Sequence, residues 1–276
     1  MASWIDGQPG ASLPADDRGL AYGDGLFETI RIAGGRSPLL ELHMQRLLRG
    51  AETLRLPLDL DTVLAELKAF IAAQAQAGRS DCTVKLIVTR GSAGRGYRPL
   101  PEAQVRRALL AFAPPAWPST HSEDGVALFE CATRLAINPA LAGIKHLNRL
   151  EQVLARAEWD DARYAEGLLC DAEGRVIEAT MSNLFLGQDG VLVTPRLHRC
   201  GVAGVLRGFL LARALSLGIP VSERDVTRAE LDASDELFVC NSNFGIWPVR
   251  ELGQRRRVPG ALTRRLQAEV VTLWQR

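Results

Sequence analysis

Charge imbalance is the first thing missing: 33 Lys and Arg face 32 Asp and Glu, spread along all 276 residues. With no basic field to attract nucleic acid or an anionic lipid surface, a small-molecule partner is expected. Five cysteines (Cys82, Cys131, Cys170, Cys200, Cys240) are odd in number, widely spaced and without a Cys-x-x-Cys pair. Neither a disulfide framework nor a zinc or other metal site is indicated, and a reducing cytoplasm suits them. Met1–Gly7 has no basic segment leading into an apolar run, and no later stretch stays apolar long enough for a membrane span, so the chain is expected to be neither exported nor inserted. Repeats and low-complexity tracts are absent. Lysine itself is scarce, with Lys68, Lys85 and Lys145 the whole set.

What is present is apolar matter in quantity. At 47% hydrophobic and 24% charged residues the chain can bury one large core or two moderate ones. Leu26 to Ile32 reads as a strand, His43 to Leu56 and Asp61 to Ala77 as helices, and Cys82 to Thr89 and Ala108 to Ala113 as strands. This predicts a small α/β domain over 1–113. Three prolines in Ala113–Thr120 remove backbone donors and favour an extended chain, which predicts an interdomain linker over 114–125 and a larger domain over 126–276. There, His146 to Arg163 reads as a helix. A meander of short strands follows: Gly167 to Asp171, Arg175 to Thr180, Asn183 to Gly187 and Val191 to Thr194. A helix from about Val205 to Leu217, strands at Glu236 to Asn241 and Ile246 to Glu251, and a helix over Gly260 to Trp274 complete it. The expected fold class is α/β (α+β), in two domains.

Lys145 stands in Gly143-Ile144-Lys145-His146-Leu147-Asn148-Arg149-Leu150-Glu151. Apolar neighbours disfavour a charged amine and so make it nucleophilic, although spacing alone favours an ordinary solvated lysine at a helix start. Glu178, on a strand with imperfect alternation, reads by itself as a solvent-facing residue. Gly204-Val205-Leu206-Arg207 opens a helix, whose free N–H groups and dipole suit an anion. Arg46 can bind two oxygens of such an anion, or it can be one of many arginines on a solvated helix face. Arg90-Gly91-Ser92-Ala93-Gly94-Arg95-Gly96-Tyr97-Arg98 is glycine-rich, but Arg98-Pro99-Leu100-Pro101 cannot start the helix that a dinucleotide site needs. A flexible hairpin and a substrate loop with Arg95 and Arg98 as carboxylate ligands both fit this segment.

Taken together, Glu178-Ala179-Thr180-Met181-Ser182-Asn183-Leu184-Phe185, Leu192-Val193-Thr194 and Val202-Ala203-Gly204-Val205-Leu206-Arg207 resemble the signature of the class IV aminotransferases, the fold type IV pyridoxal phosphate enzymes. The resemblance implies a two-domain fold, a larger C-terminal β-barrel-like domain with helices, and pyridoxal 5'-phosphate in the cleft between domains of a cytoplasmic homodimer. Lys145, 33 residues before Glu178, is then the cofactor-bearing lysine and Glu178 the partner of the pyridine nitrogen. Arg46, in His43-Met44-Gln45-Arg46-Leu47, and the amides of Val205 and Leu206 become phosphate ligands, with Ser242 as a looser third contact for which Asn241 is the substitute. Tyr22-Gly23-Asp24-Gly25-Leu26-Phe27-Glu28, the Arg90 to Arg98 loop and the segment around Lys145 are similar to bacterial aminodeoxychorismate lyases over roughly Ile5 to Val249. That similarity implies release of 4-aminobenzoate and pyruvate from 4-amino-4-deoxychorismate in folate synthesis, with Arg95, Tyr97 and Arg98 at the substrate. Branched-chain or D-amino acid transamination on the same scaffold is the alternative; D-amino acid enzymes carry Arg-x-His where this chain has Arg95-Gly96-Tyr97.

Overall fold

Leu26, Glu28, Ile30 and Ile32 share one face of the strand Gly25–Ile32, and all four are buried. Val84, Leu86 and Val88 do the same on Cys82–Thr89, which pairs antiparallel with it from Gly25↔Thr89 to Ile32↔Cys82. The computed structural model describes residues 2–92, 94, 96–100 and 103–275, and these fall into two units: up to Pro115 together with Ile144–Asn148, and Ala116–Gly143 together with 149 onward.

In the first unit an antiparallel five-stranded sheet runs in the order Gln8–Pro9, Ala2–Ile5, Arg106–Phe112, Cys82–Thr89, Gly25–Ile32. The helix Leu40–Leu54 buries His43, Met44, Arg46, Leu47, Gly50 and Ala51, a stripe at helical period. It lies so close to Gly25–Ile32 that a Cβ on Gly50 would come within 2.8 Å of the Leu26 side chain. Leu60–Gln76, capped by the Asp59 carboxylate, covers the sheet with Val63, Leu67, Phe70 and Ile71.

The second unit is built on a mixed sheet in the order Val221–Arg224, Val191–Pro195, Asn183–Gln188, Glu236–Asn241, Gly245–Leu252, Val126–Leu135, Tyr164–Asp171, Val176–Ala179, with Arg255–Arg256 paired beside Gly245–Leu252. The sheet curls until its ends meet. Val176 N–H donates to the Val226 carbonyl at 2.9 Å, just beyond the first strand of that order. Leu128, Leu184, Leu186, Val239 and Trp247 fill the interior of the curl. The helices Val205–Ser216 and Ala261–Gln275 belong to this unit. All five cysteines are free and buried, and burial pushes the Cys131, Cys200 and Cys240 thiols up to about 12.

The expected helix His146–Arg163 is much shorter, Leu150–Arg156. The edge strand Gly25–Ile32 takes residues 144–148 instead: Phe27 N–H donates to the Lys145 carbonyl and Leu147 N–H to the Gly25 carbonyl, both at 3.0 Å. Backbone groups spent on that bridge are lost to a helical ladder. The stretch expected as linker also holds a short helix, Thr120–Glu123, and Trp117 packs edge-on against Phe244 and Trp247. No described helix is long and apolar enough to cross a membrane, and the described residues hold no cluster of His, Cys, Asp and Glu able to bind a metal.

Candidate active site

Lys145 is placed in the first unit by that bridge, half-buried, with Nζ 4.3 Å from the Phe27 ring centroid. Lys85 Nζ lies 5.2 Å from the same ring, and Lys68 is exposed on its helix. Next to Phe27 the chain buries a carboxylate. Glu28 is 1% exposed, and its Oε1 accepts from Arg46 Nε at 2.8 Å while Oε2 accepts from Arg46 Nη2 and from His43 Nδ1, the last at 2.6 Å. Burial alone would raise the Glu28 carboxyl, but the Arg46 guanidinium and the His43 donor hold it down at about 2. His43 is pushed below the usual histidine range by burial, against the pull of Glu28, and the charges of Arg46 and Lys145 add to that push. It is therefore neutral, with the proton on Nδ1 facing Glu28, and its buried Nε2 has no hydrogen-bond partner. Arg46 is thus buried rather than on a solvated face.

A second set of groups lies in the other unit, where backbone does most of the holding. Glu178, 4% exposed at the end of Val176–Ala179, accepts from Val202 N–H at 2.9 Å and from Asn183 Nδ2 at 3.4 Å. Asn183 Nδ2 also donates to the Val202 carbonyl at 2.8 Å, and Asn183 Oδ1 accepts from Gly204 N–H at 3.0 Å. Only glycine fits at two places in this weave. A Cβ on Gly204 would stand 2.0 Å from Asn183 Oδ1, and Gly201 has φ +84° with Ile177, Leu197 and Glu178 around it. Gly204, which has no side chain to cap with, opens the helix Val205–Ser216, so the Val205 and Leu206 amides stand at the positive end of its dipole. Arg149 carries its charge near Glu178.

The turn between Glu178 and Asn183 is clamped by a wholly buried Glu166, which accepts from Thr180 Oγ1, from Met181 N–H at 2.9 Å and from Ser182 Oγ at 2.6 Å. Asn241 joins the same turn through Nδ2 to the Met181 carbonyl at 3.2 Å. Its Oδ1 accepts from Asn243 and Phe244 N–H, so Asn241 shapes the turn that carries Ser242. On the glycine-rich loop, Tyr97 and Arg98 are exposed, Tyr97 at 85%, with its ring 5.4 Å from that of Tyr22. Arg95 lies outside the described residues.

Sequence reading assigned no role to Glu28, His43, Asn183 or Glu166. A signal existed for the first two: Glu28 falls on the apolar face of an alternating strand, and His43 and Arg46 share the stripe of Met44 and Leu47, where unpaired charge is not tolerated.

Residues 25–252 match the family model described as amino-transferase class IV, and the chain belongs to that family. Within it, the chain is 38% identical over 274 residues to the aminodeoxychorismate lyase of Vibrio harveyi, covering 98% of this chain and 99% of that one. The crystal structure of 4-amino-4-deoxychorismate lyase from Pseudomonas aeruginosa is similar with a TM-score of 0.94 at 54% identity, covering 98% of each chain. The branched-chain amino acid aminotransferase from Escherichia coli is more distant, with a TM-score of 0.84 and 25% identity, covering 99% of this chain and 94% of that one.

Proposed function

We propose that this chain is a pyridoxal phosphate-dependent carbon–oxygen lyase that converts 4-amino-4-deoxychorismate into 4-aminobenzoate and pyruvate, a step of folate synthesis. The observation that carries it is the match over 98% of each chain to the Pseudomonas aeruginosa lyase, at 54% identity and a TM-score of 0.94. The residues fit the cofactor. A helix N-terminus opened by a glycine suits a phosphate, and a buried carboxylate fixed by a backbone N–H suits a protonated ring nitrogen. A half-buried lysine against an aromatic face suits a carbonyl group. Bound pyridoxal phosphate supplies an aldehyde for amines and a ring that accepts electrons.

Arg46, the Val205 and Leu206 amides and Ser242 would be the phosphate ligands, and Glu28 keeps the Arg46 guanidinium in place. Glu178 would accept from the pyridine N–H of the bound cofactor. Lys145 would hold the cofactor aldehyde and, once the substrate amine has displaced it, its free amine would take the proton from the amine-bearing carbon of the substrate. That carbon–hydrogen electron pair becomes a ring double bond, the carbon–oxygen bond to the enolpyruvyl group breaks, and the ring becomes aromatic. Lys145 returns the proton to the enolpyruvyl methylene carbon, giving pyruvate. Arg95, Tyr97 and Arg98 bind the substrate, the arginines through its two carboxylates. The enzyme is a cytoplasmic homodimer in this proposal, which suits five buried thiols.

Purified protein given 4-amino-4-deoxychorismate and no oxo acid tests this, reading 4-aminobenzoate by fluorescence and pyruvate by a coupled enzyme. Many turnovers of both products are expected. Transamination of leucine or D-alanine with 2-oxoglutarate, without release of 4-aminobenzoate, overturns the proposal in favour of an aminotransferase.

A further inference from the structure

Arg18 opens a five-residue helix, Arg18–Tyr22, yet its side chain is buried at 3% exposure. Its donors go to a loop 78 residues away. Nη1 donates to the Gly96 carbonyl at 2.8 Å and Nη2 to the Tyr97 carbonyl at 3.0 Å, while Nε donates to Asp24 Oδ2 at 2.9 Å. The guanidinium lies 4.9 Å from the Tyr22 ring centroid, and that ring in turn meets Tyr97. The base of the same loop is closed by the same short segment: Arg18 N–H donates to the Gly91 carbonyl at 3.0 Å, and Ser92 Oγ to Asp16 at 2.8 Å. Asp24, the anchor of Arg18, is also gripped by Arg90, which donates through Nε to the same Oδ2 at 2.7 Å and through Nη2 to Oδ1 at 3.1 Å. Arg90 also donates to the Leu54 and Arg55 carbonyls, at the end of the helix that carries His43 and Arg46.

An exposed loop rich in glycine has many conformations, and a buried guanidinium bonded to two of its carbonyls selects one. These bonds do nothing for a core, since Tyr97 itself is almost wholly exposed. We propose that Arg18 is a positioning residue for substrate: it fixes the Gly96–Tyr97 backbone so that Tyr97 and Arg98 meet the substrate already ordered. The proposal rests on the reading of this loop as the substrate loop of a lyase.

The test uses the holoenzyme with Arg18→Ala, Arg18→Lys and Tyr22→Leu. Arg18→Ala is expected to speed amide hydrogen exchange over residues 96–100 and to raise KM for 4-amino-4-deoxychorismate by about tenfold, the size of one lost charge-assisted hydrogen bond. Both kcat and cofactor absorption are expected to be unchanged, because the loss falls on uniform binding. Arg18→Ala also removes a buried partner of Asp24 and should lower the thermal midpoint, whereas Arg18→Lys keeps a charge for Asp24 but not the planar fork, so the midpoint should recover while KM stays high. Tyr22→Leu, at a half-exposed position that any fold tolerates, should move exchange and KM in the same direction by less. Unchanged exchange, unchanged KM, or a KM that recovers together with stability in Arg18→Lys overturns the assignment. If wild-type protein releases no 4-aminobenzoate, the lyase reading fails. If it does and Arg18→Ala matches its KM, only the role of Arg18 fails.

Discussion

Two buried carboxylates serve the two halves of the chain, and they are held in opposite ways. Glu28 is fixed by side chains: both of its oxygens are taken by Arg46, and one also by His43, reaching from a helix onto a strand. Glu178 is held largely by neutral donors, the Val202 N–H and the Asn183 amide, which also ties the neighbouring chain at Val202 and Gly204, with the Arg149 charge nearby. The first arrangement depends on charge and therefore on ionisation. The second depends on chain geometry and on the missing Cβ of Gly201 and Gly204.

The sharpest break is chemical. Lys145→Ala should abolish turnover and leave no borohydride-fixed adduct, while the thermal midpoint of the cofactor-free protein stays put; an adduct mapped to Lys68 or Lys85 would move the catalytic amine elsewhere. Glu178→Gln should come next, lowering turnover by about a hundredfold to a thousandfold, as for loss of one preorganised electrostatic group. Because Glu178 is not among the proposed phosphate ligands, cofactor retention should be nearly normal, and a spectrophotometric titration checks it. Glu28→Gln should show the converse, destabilising the fold by about 3 kcal/mol in denaturant melts, since Arg46 keeps a buried charge without its counterion.

The same comparison can be drawn with pH. The Glu28 carboxyl sits near 2 against an ordinary 4.5, so its contribution to stability is complete above about pH 4.5 and is lost as pH falls towards 2. Acid titration of stability should therefore be flatter in Glu28→Gln than in wild type, and identical slopes would show that the pair adds nothing. The smallest effect is expected on the loop: Arg98→Ala should raise KM for 4-amino-4-deoxychorismate by several-fold, equal to about 1 kcal/mol, because an exposed arginine is well solvated before it binds. Steady-state kinetics with unchanged cofactor absorption would check it.

Elements with a clean period were legible. Gly25–Ile32, Leu60–Gln76, Glu236–Asn241 and Val205–Ser216 fall within a residue or two of where alternation and helical spacing put them. Residues 144–148 were not, because their partner strand is remote in sequence and nothing local marks the pairing; the helical spacing of the residues that follow dominates the reading. Val126–Leu135 was hard to see for another reason: its register shifts against both neighbours blur the alternation. At the site, the family resemblance singled out Lys145 and Glu178, where their own spacing read as solvated residues, but a resemblance says nothing of what grips them. Glu28, Asn183 and Glu166 act through partners brought together by tertiary structure. A missed local signal was the Thr227–Glu230 capping box, which starts the helix Arg228–Ala233.

The bridge that places Lys145 also orders events during synthesis. Gly23 and Asn148, bonded through the Asn148 amide, are 125 residues apart in sequence, and residues 144–148 pair with the Gly25–Phe27 end of the edge strand of the first sheet. On the ribosome the first 115 residues can form their strands and helices, but the Gly25–Phe27 end of their edge strand must wait unpaired until the chain beyond 148 has emerged. An unpaired edge is a template for pairing with another nascent chain. The short segment carrying the lysine thus also acts as a late seal, and fragments ending near Pro115 should be more prone to aggregate than those extending past Asn148.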